Sequence, residues 1–210
     1  MVQPIMLPPN DGLDLVLAST SKYRRELMGR LGVHFRAIAP VCDESVYKGL
    51  GHPPELLAAI LAKTKARSVA GRERDATIIG CDQICALGAD ILSKPGTPER
   101  AVEQLLKLQG KEHVLITAVT ILHKGGSGKE GGKDWSHVDI TRLTMRKLTE
   151  SQIERYVSND RPLDCAGSYK LEARGIALFE KVESADHSAI TGLPLLWVAR
   201  TLAEIGYELP

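Results

Sequence analysis

Hydroxyls and cations crowd one short stretch of the chain, Ser19–Thr20–Ser21–Lys22–Tyr23–Arg24–Arg25. Hydrophobic spacing places a helix start there. The positive end of a helix dipole disfavours cations in its first turn. A bound anion removes that penalty. Free N–H groups, hydroxyls and two arginine forks then make a phosphate site. On local arrangement alone, Lys22, Arg24 and Arg25 suit a solvated face equally well. Asp82 ends the apolar run Ala76–Gly80, and α/β sheets place their ligands at strand ends. A carboxylate entering a buried strand end needs a metal, a cation or a helix N-terminus. A capping or turn aspartate is the alternative reading. Asp43–Glu44 supplies a second acidic pair, in a predicted loop. Lys65 falls on a predicted helix and Lys94 precedes Pro95. Each of these, read by itself, is an ordinary solvated group.

The whole-chain balance sharpens the question. Of 210 residues, 27 are Lys or Arg and 26 are Asp or Glu, giving a formal net charge of +1. Such a chain has no overall pull on a nucleic acid polymer or a membrane surface. Any anion it binds must be held by a local cluster. No apolar run approaches the roughly 20 residues of a membrane span. Met1 to Asp14 lacks the charged and apolar regions of a signal peptide. Cys42, Cys81, Cys85 and Cys165 form no CxxC pair, and their spacing argues against zinc. Scattered cysteines suit a reducing compartment, so a cytoplasmic location is expected. Gly126–Ser127–Gly128–Lys129–Glu130–Gly131 matches G-x-G-x-x-G by letter. A dinucleotide loop must open a helix; here a strand-like alternation follows, so the segment reads as a solvated hairpin tip.

The elements that must position these groups alternate in type. Leu13–Ala18 reads as a buried strand and Lys22–Leu31 as a helix closed by Gly32. A short strand, His34–Ile38, precedes a helix from Pro53 to Ala70 with apolar residues at helical spacing. Ala76–Gly80 is a strand, continued in extended form at Ile84–Leu87. Thr97–Pro98 caps a helix that runs to Gly110. Val114–His123 and His137–Met145 pair as a long hairpin. Thr149 and Gln152 form a capping box. Ile176–Phe179 is a strand, and Gly192–Leu193–Pro194 opens a last helix ended by Gly206. This order predicts an α/β architecture with a mixed sheet. It fits one domain over residues 13–210, a flexible tail at 1–12 and a hairpin-tip loop at 124–136.

Taken in order, Ala18–Ser19–Thr20–Ser21, Arg24–Arg25, Asp43–Glu44, Lys65–Ala66, Gly80–x–Asp82, Lys94–Pro95, Thr117, Ala166–Gly167–x–Tyr169 and Gly192–Leu193–Pro194–Leu195 resemble the Maf family. The resemblance spans about Leu13 to Ile205. It implies a Maf/ITPase-like fold, a mixed twisted sheet flanked by helices, in which the long hairpin forms a second lobe. It also implies a nucleoside-triphosphate pyrophosphatase. Within the family, Ile79–Cys85, Pro162–Lys170 and Leu178–Glu180 are similar to the branch that hydrolyses 7-methyl-GTP. The branch acting on dTTP and UTP typically has Thr at the position of Gln83 and Gln at that of Glu172. Three departures stand out: Tyr23 in place of a larger aromatic, Ile60 in place of Arg, and Thr117–Ala118 in place of Thr-Gly.

The resemblance implies specific roles. Asp82 is the proton acceptor and, with Glu44, a ligand of Mg2+ or Mn2+. Lys65 and Lys94 complete the catalytic set, and Ser19, Arg24 and Arg25 contact the triphosphate. Tyr23, Gln83 and Glu172 stand where the base is chosen. A homodimer is implied as well. The chemistry is coherent: cations and a hard metal stabilise charge on a departing pyrophosphate, and a carboxylate deprotonates water. An aromatic at Tyr23 suits the cationic 7-methylguanine ring. Glu172 suits the guanine N1–H and N2 amine. The other readings are a pyrophosphatase for dTTP, UTP or another modified nucleotide, and a non-catalytic nucleotide-binding regulator of cell division.

Overall fold

The computed structural model describes residues 14–73, 75–123 and 132–209. The tail expected at 1–12 and most of the expected hairpin tip lie outside them. Three parallel strands begin the sheet: β1 (Asp14–Ala18), β2 (Arg36–Ile38) and β3 (Ala76–Leu87). Between them lie α1 (Lys22–Gly29), the single-turn α2 (Ser45–Lys48) and α3 (Pro54–Ala70). There follow β4 (Asp90–Leu92), α4 (Pro98–Leu108), β5 (Glu112–His123), β6 (Lys133–Met145) and α5 (Glu150–Asp160). Two 3-10 turns, Ala166–Ser168 and Arg174–Leu178, lead to β7 (Phe179–Glu183), α6 (His187–Thr191) and α7 (Leu195–Ile205). The sheet runs β2-β1-β3-β5-β6-β7, with β4 paired to β3. From β3 onward every pairing is antiparallel. This is the mixed α/β sheet that the alternation predicts.

β3 organises the molecule because its two faces carry different partners. Ile78, Ile84 and Ala86 face α3 and pack against Leu57, Leu61, Ala66 and Val69. Ile79 and Cys81 face the other way, into a core with Leu27, Met28, Val198 and Leu202 from α1 and α7. This is the period-2 alternation of a strand buried on both sides. Gly80 is where α3 comes closest. A Cβ there would overlap the Ala62 carbonyl oxygen and the Ala66 amide nitrogen. A second core, with Leu105, Leu108, Leu143, Ile153 and Phe179, joins α4 and α5 to the far end of the sheet. α5 begins with the expected capping box between Thr149 and Gln152.

Several boundaries differ from the sequence expectation for identifiable reasons. Asp82 does not end a strand; it lies midway along the twelve-residue β3. β5 pairs continuously from Thr77 to Ala86 and keeps the backbone extended through it. α1 stops at Gly29, and tight turns from Arg30 to Gly32 complete the exit. Residues 176–178 form a 3-10 turn instead of a strand. Gly175 sits against the Lys170 carbonyl there, so the chain is folded back on itself. β6 begins at Lys133, and the G-x-G-x-x-G stretch is therefore followed by a strand, not a helix. α6 was not foreseen.

Candidate active site

The parallel pairing of β1 with β3 stops at Ala18 opposite Gly80. β4 does not join that edge of β3 until Cys85. Between them, Cys81 to Ile84 has an open edge beside the end of β1. The α1 N-terminus fills part of this gap: Arg24 Nη1 donates to the Cys81 carbonyl at 3.0 Å. Asp82 therefore stands where a strand end opens the sheet, although its own strand continues.

Asp82 is only 7% exposed and points toward α3. Lys65 Nζ lies 2.5 Å from Asp82 Oδ1 and 2.7 Å from Glu44 Oε1. The other Glu44 oxygen is 2.6 Å from Lys48 Nζ, one turn further along the chain. The result is a continuous row: Lys48, Glu44, Lys65, Asp82. Burial alone would raise the Glu44 carboxyl, but the two lysines bring it down to about 2. Burial alone would lower the Lys65 ammonium; Asp82 and Glu44 outweigh that and hold it above the ordinary lysine value. Lys48 was not anticipated, although its position four residues after Glu44 is the spacing of a helical ion pair.

Two adjoining cavities flank this row. One, of about 570 Å³, is lined by Ser19, Thr20, Lys22, Arg25, Pro40 and Cys42. The other, of about 410 Å³, is lined by Gln83, Ile91, Leu115, Cys165, Tyr169, Glu172 and Ile190. Tyr23, Arg24, Glu44, Lys65, Lys94 and Asp164 line both. The structure thus gathers Ser19, Tyr23, Arg24, Arg25, Glu44, Lys65, Asp82, Gln83, Lys94 and Glu172 around one two-part cleft, while Asp43 lines neither bay. Ser19, Thr20, Lys22 and Arg25 line one bay, Gln83 and Glu172, expected to choose a base, line the other, and Tyr23, Arg24, Lys65 and Lys94 face both. Glu44 lines both bays, and Asp82 lines the second beside it.

Individual side chains are committed in different ways. Ser19 is buried and its Oγ accepts the Ser21 amide, while Ser21 Oγ caps α1 by accepting from Arg24 N. Arg24 Nε donates to the Gly192 carbonyl at 2.9 Å. That same carbonyl accepts from Cys81 Sγ at 3.0 Å. Arg24 therefore braces the turn between α6 and α7. Arg25 and Lys94 are exposed and form no ion pair with any described residue. Tyr23 Oη is 3.5 Å from Asp164 Oδ1, and Lys22 Nζ lies 4.8 Å from the centre of its ring. Asp164, another residue without a foreseen role, also faces Lys170 at 3.7 Å. Gln83 Nε2 donates to Thr117 Oγ1, Ala189 O and Ile190 O at 2.9 to 3.0 Å. Glu172 is exposed at the rim of its bay.

Among the described residues no group of three or more His, Cys, Asp or Glu side chains could hold a metal. Asp82 and Glu44 offer carboxylate oxygens on either side of one ammonium. Two carboxylates completed by substrate phosphates and water is the way Mg2+ is commonly held, and the residues present fit that arrangement. No described helix is long and apolar enough to cross a membrane.

Comparison with known proteins bears directly on this cleft. The family model described as Maf-like protein matches residues 14–205. The chain is 48% identical over 188 residues to a Bdellovibrio bacteriovorus protein named 7-methyl-GTP pyrophosphatase, covering 90% of this chain and 95% of that one. Proteins of the same name from Thiobacillus denitrificans and Pseudomonas aeruginosa are 44% and 41% identical. They cover 92% and 94% of this chain, and 93% and 99% of their own lengths. Among solved structures, the Staphylococcus aureus Ham1 protein aligns with a TM-score of 0.47 at 14% identity, over 91% of this chain and 99% of that one. With its family match spanning both bays and their carboxylates, the chain belongs to the Maf family.

Proposed function

We propose that this chain hydrolyses 7-methyl-GTP to 7-methyl-GMP and pyrophosphate. The observation that carries the reading is the Lys65-bridged pair of Asp82 and Glu44, in which Lys65 and Glu44 line both bays and Asp82 lines the base bay. A nucleoside triphosphate has the same plan, a base and a polyphosphate joined at the atoms that react. Relatives named for this activity, similar over nearly the whole chain, support the choice of substrate.

In this reading the triphosphate lies along the bay of Ser19 and Arg25, with Lys94 at its edge. Asp82 orients the attacking water and takes its proton. Lys65 keeps its charge through the reaction and neutralises the phosphoryl oxygens. Arg24 holds the wall of the site as well as adding charge. Asp82 and Glu44 would hold Mg2+ or Mn2+, which supplies a Lewis acid for the phosphate oxygens. Glu172 accepts from the guanine N1–H and N2 amine. A pyrimidine offers no such donor pair, and the resulting unpaired polar groups disfavour it. Tyr23 packs one ring face on the methylated base. The domain is single, from residue 13 to 210, the enzyme is cytoplasmic and it works as a homodimer. The experiment is turnover of 7-methyl-GTP with a divalent cation: pyrophosphate as product, lost on Asp82→Asn, supports the reading. Release of orthophosphate alone contradicts it.

A further inference from the structure

Gln83 lines the base bay, yet its amide is already committed on one side. Nε2 lies 2.9 Å from Ala189 O and 3.0 Å from Ile190 O. Backbone carbonyls only accept hydrogen bonds. The atom facing them is therefore the nitrogen, and the orientation of the amide follows from its partners. The third neighbour agrees. Thr117 Oγ1 donates its own proton to Ala189 O at 2.9 Å, so only its lone pairs remain for Gln83 Nε2 at 3.0 Å. Thr117 is buried and cannot turn to water. Both amide hydrogens are thus spent on α6 and β5. The one polar atom that Gln83 has left is Oε1.

We infer that Gln83 enters the base bay as an acceptor only and selects bases that present an exocyclic amine. This rests on the nucleotide reading above and sharpens it. Glu172, at the rim of that bay, is also an acceptor when ionised. Two acceptors match an amine with two hydrogens. They oppose a base carbonyl at the same place, where acceptor would face acceptor. An unanchored glutamine could turn its amide over and serve either group. The bonds from α6 remove that freedom, so Ala189 and Ile190 act through Gln83 as positioning residues.

The test compares 7-methyl-GTP with 7-methyl-ITP, which differ only in the N2 amine, on wild type and Gln83→Met. Wild type should prefer the amine substrate, and Gln83→Met should narrow that preference about tenfold, the worth of one hydrogen bond. An unchanged ratio in the variant overturns the inference, as does a wild type indifferent to the amine. Should Met disorder α6, nuclear magnetic resonance of the wild-type Gln83 side-chain amide decides. Its protons should be protected from exchange, both free and with 7-methyl-GMP bound. Exchange at solvent rates overturns the proposal. If wild type hydrolyses neither substrate, the nucleotide reading itself fails, a result distinct from hydrolysis of both without preference.

Discussion

Lys65 reaches Asp82 across the α3–β3 interface at 2.5 Å, and it does so because Gly80 lets the helix close on the strand. The ion pair is buried on both sides, and its ammonium is shared with Glu44. A buried carboxylate is tolerated when a cation meets it. The same cation lowers the cost of bringing a polyphosphate up to two acids. The geometry of the candidate site and the packing of α3 are therefore one feature.

Lys65→Met removes the charge and keeps much of the volume. It should reduce kcat by about 10²–10³, the scale of losing a charge-stabilising group. Glu44 would then lose one of the two lysines that hold its carboxyl down, and the acid limb of the pH–rate profile should move to higher pH. Steady-state kinetics across pH checks both. An unshifted limb would mean that Lys65 does not hold Glu44 in its ionised form.

Gly80→Ala places a methyl group against the backbone of α3 at Ala62 and Ala66. Helix and strand must part, at a cost of about 1–3 kcal/mol. Urea midpoints should fall accordingly. KM for the triphosphate should rise, because Lys65 moves with its helix. Wild-type stability in this variant would contradict the packing.

His113, on β5, is buried beside Tyr169 and Phe179, with Nε2 2.9 Å from Tyr169 Oη. Burial pushes its pKa down to about 4. Unfolded, the ring returns to about 6.5. The unfolded state binds the proton first, so stability is complete above pH 6.5 and is lost as the pH falls through 4. The loss should approach about 3 kcal/mol. Titration of the imidazole resonances and urea midpoints between pH 7 and 4 test this; an imidazole midpoint near 6.5 would contradict it.

Glu172→Gln exchanges an acceptor-only group for one that also donates. Preference for 7-methyl-GTP over dTTP should fall by about tenfold or more, judged by kcat/KM. An unaltered preference would place base selection elsewhere.

Much of this site was legible in the sequence because its signals were local. The hydroxyls and cations of Ser19–Arg25 sit at a helix start, and Asp82 follows an apolar run; each read as a ligand position beside an ordinary alternative, a solvated face or a turn aspartate, and the motif order of the whole chain favoured the ligand. The exact place of Asp82 was not legible. Its strand continues because β5 pairs with it, and that pairing partner lies some 35 residues away. The commitment of Arg24 to Cys81 and Gly192, and of Gln83 to α6, was hidden for the same reason. A side chain's charge or polarity is written in the sequence, but its partner across 106 residues is not. α6 itself has five residues, too few for a hydrophobic period to show. Lys48 was within reach, since its spacing from Glu44 is that of a helical pair.

Asp82, Lys65 and Glu44 are proposed to cut a nucleoside triphosphate between its first two phosphates. Release of pyrophosphate from 7-methyl-GTP, GTP, dTTP and UTP, with Mg2+ or Mn2+, measures it directly. Release should be fastest from 7-methyl-GTP, with 7-methyl-GMP as the second product and no release by Asp82→Asn. Faster hydrolysis of dTTP and UTP, or undiminished turnover in Asp82→Asn, would contradict it.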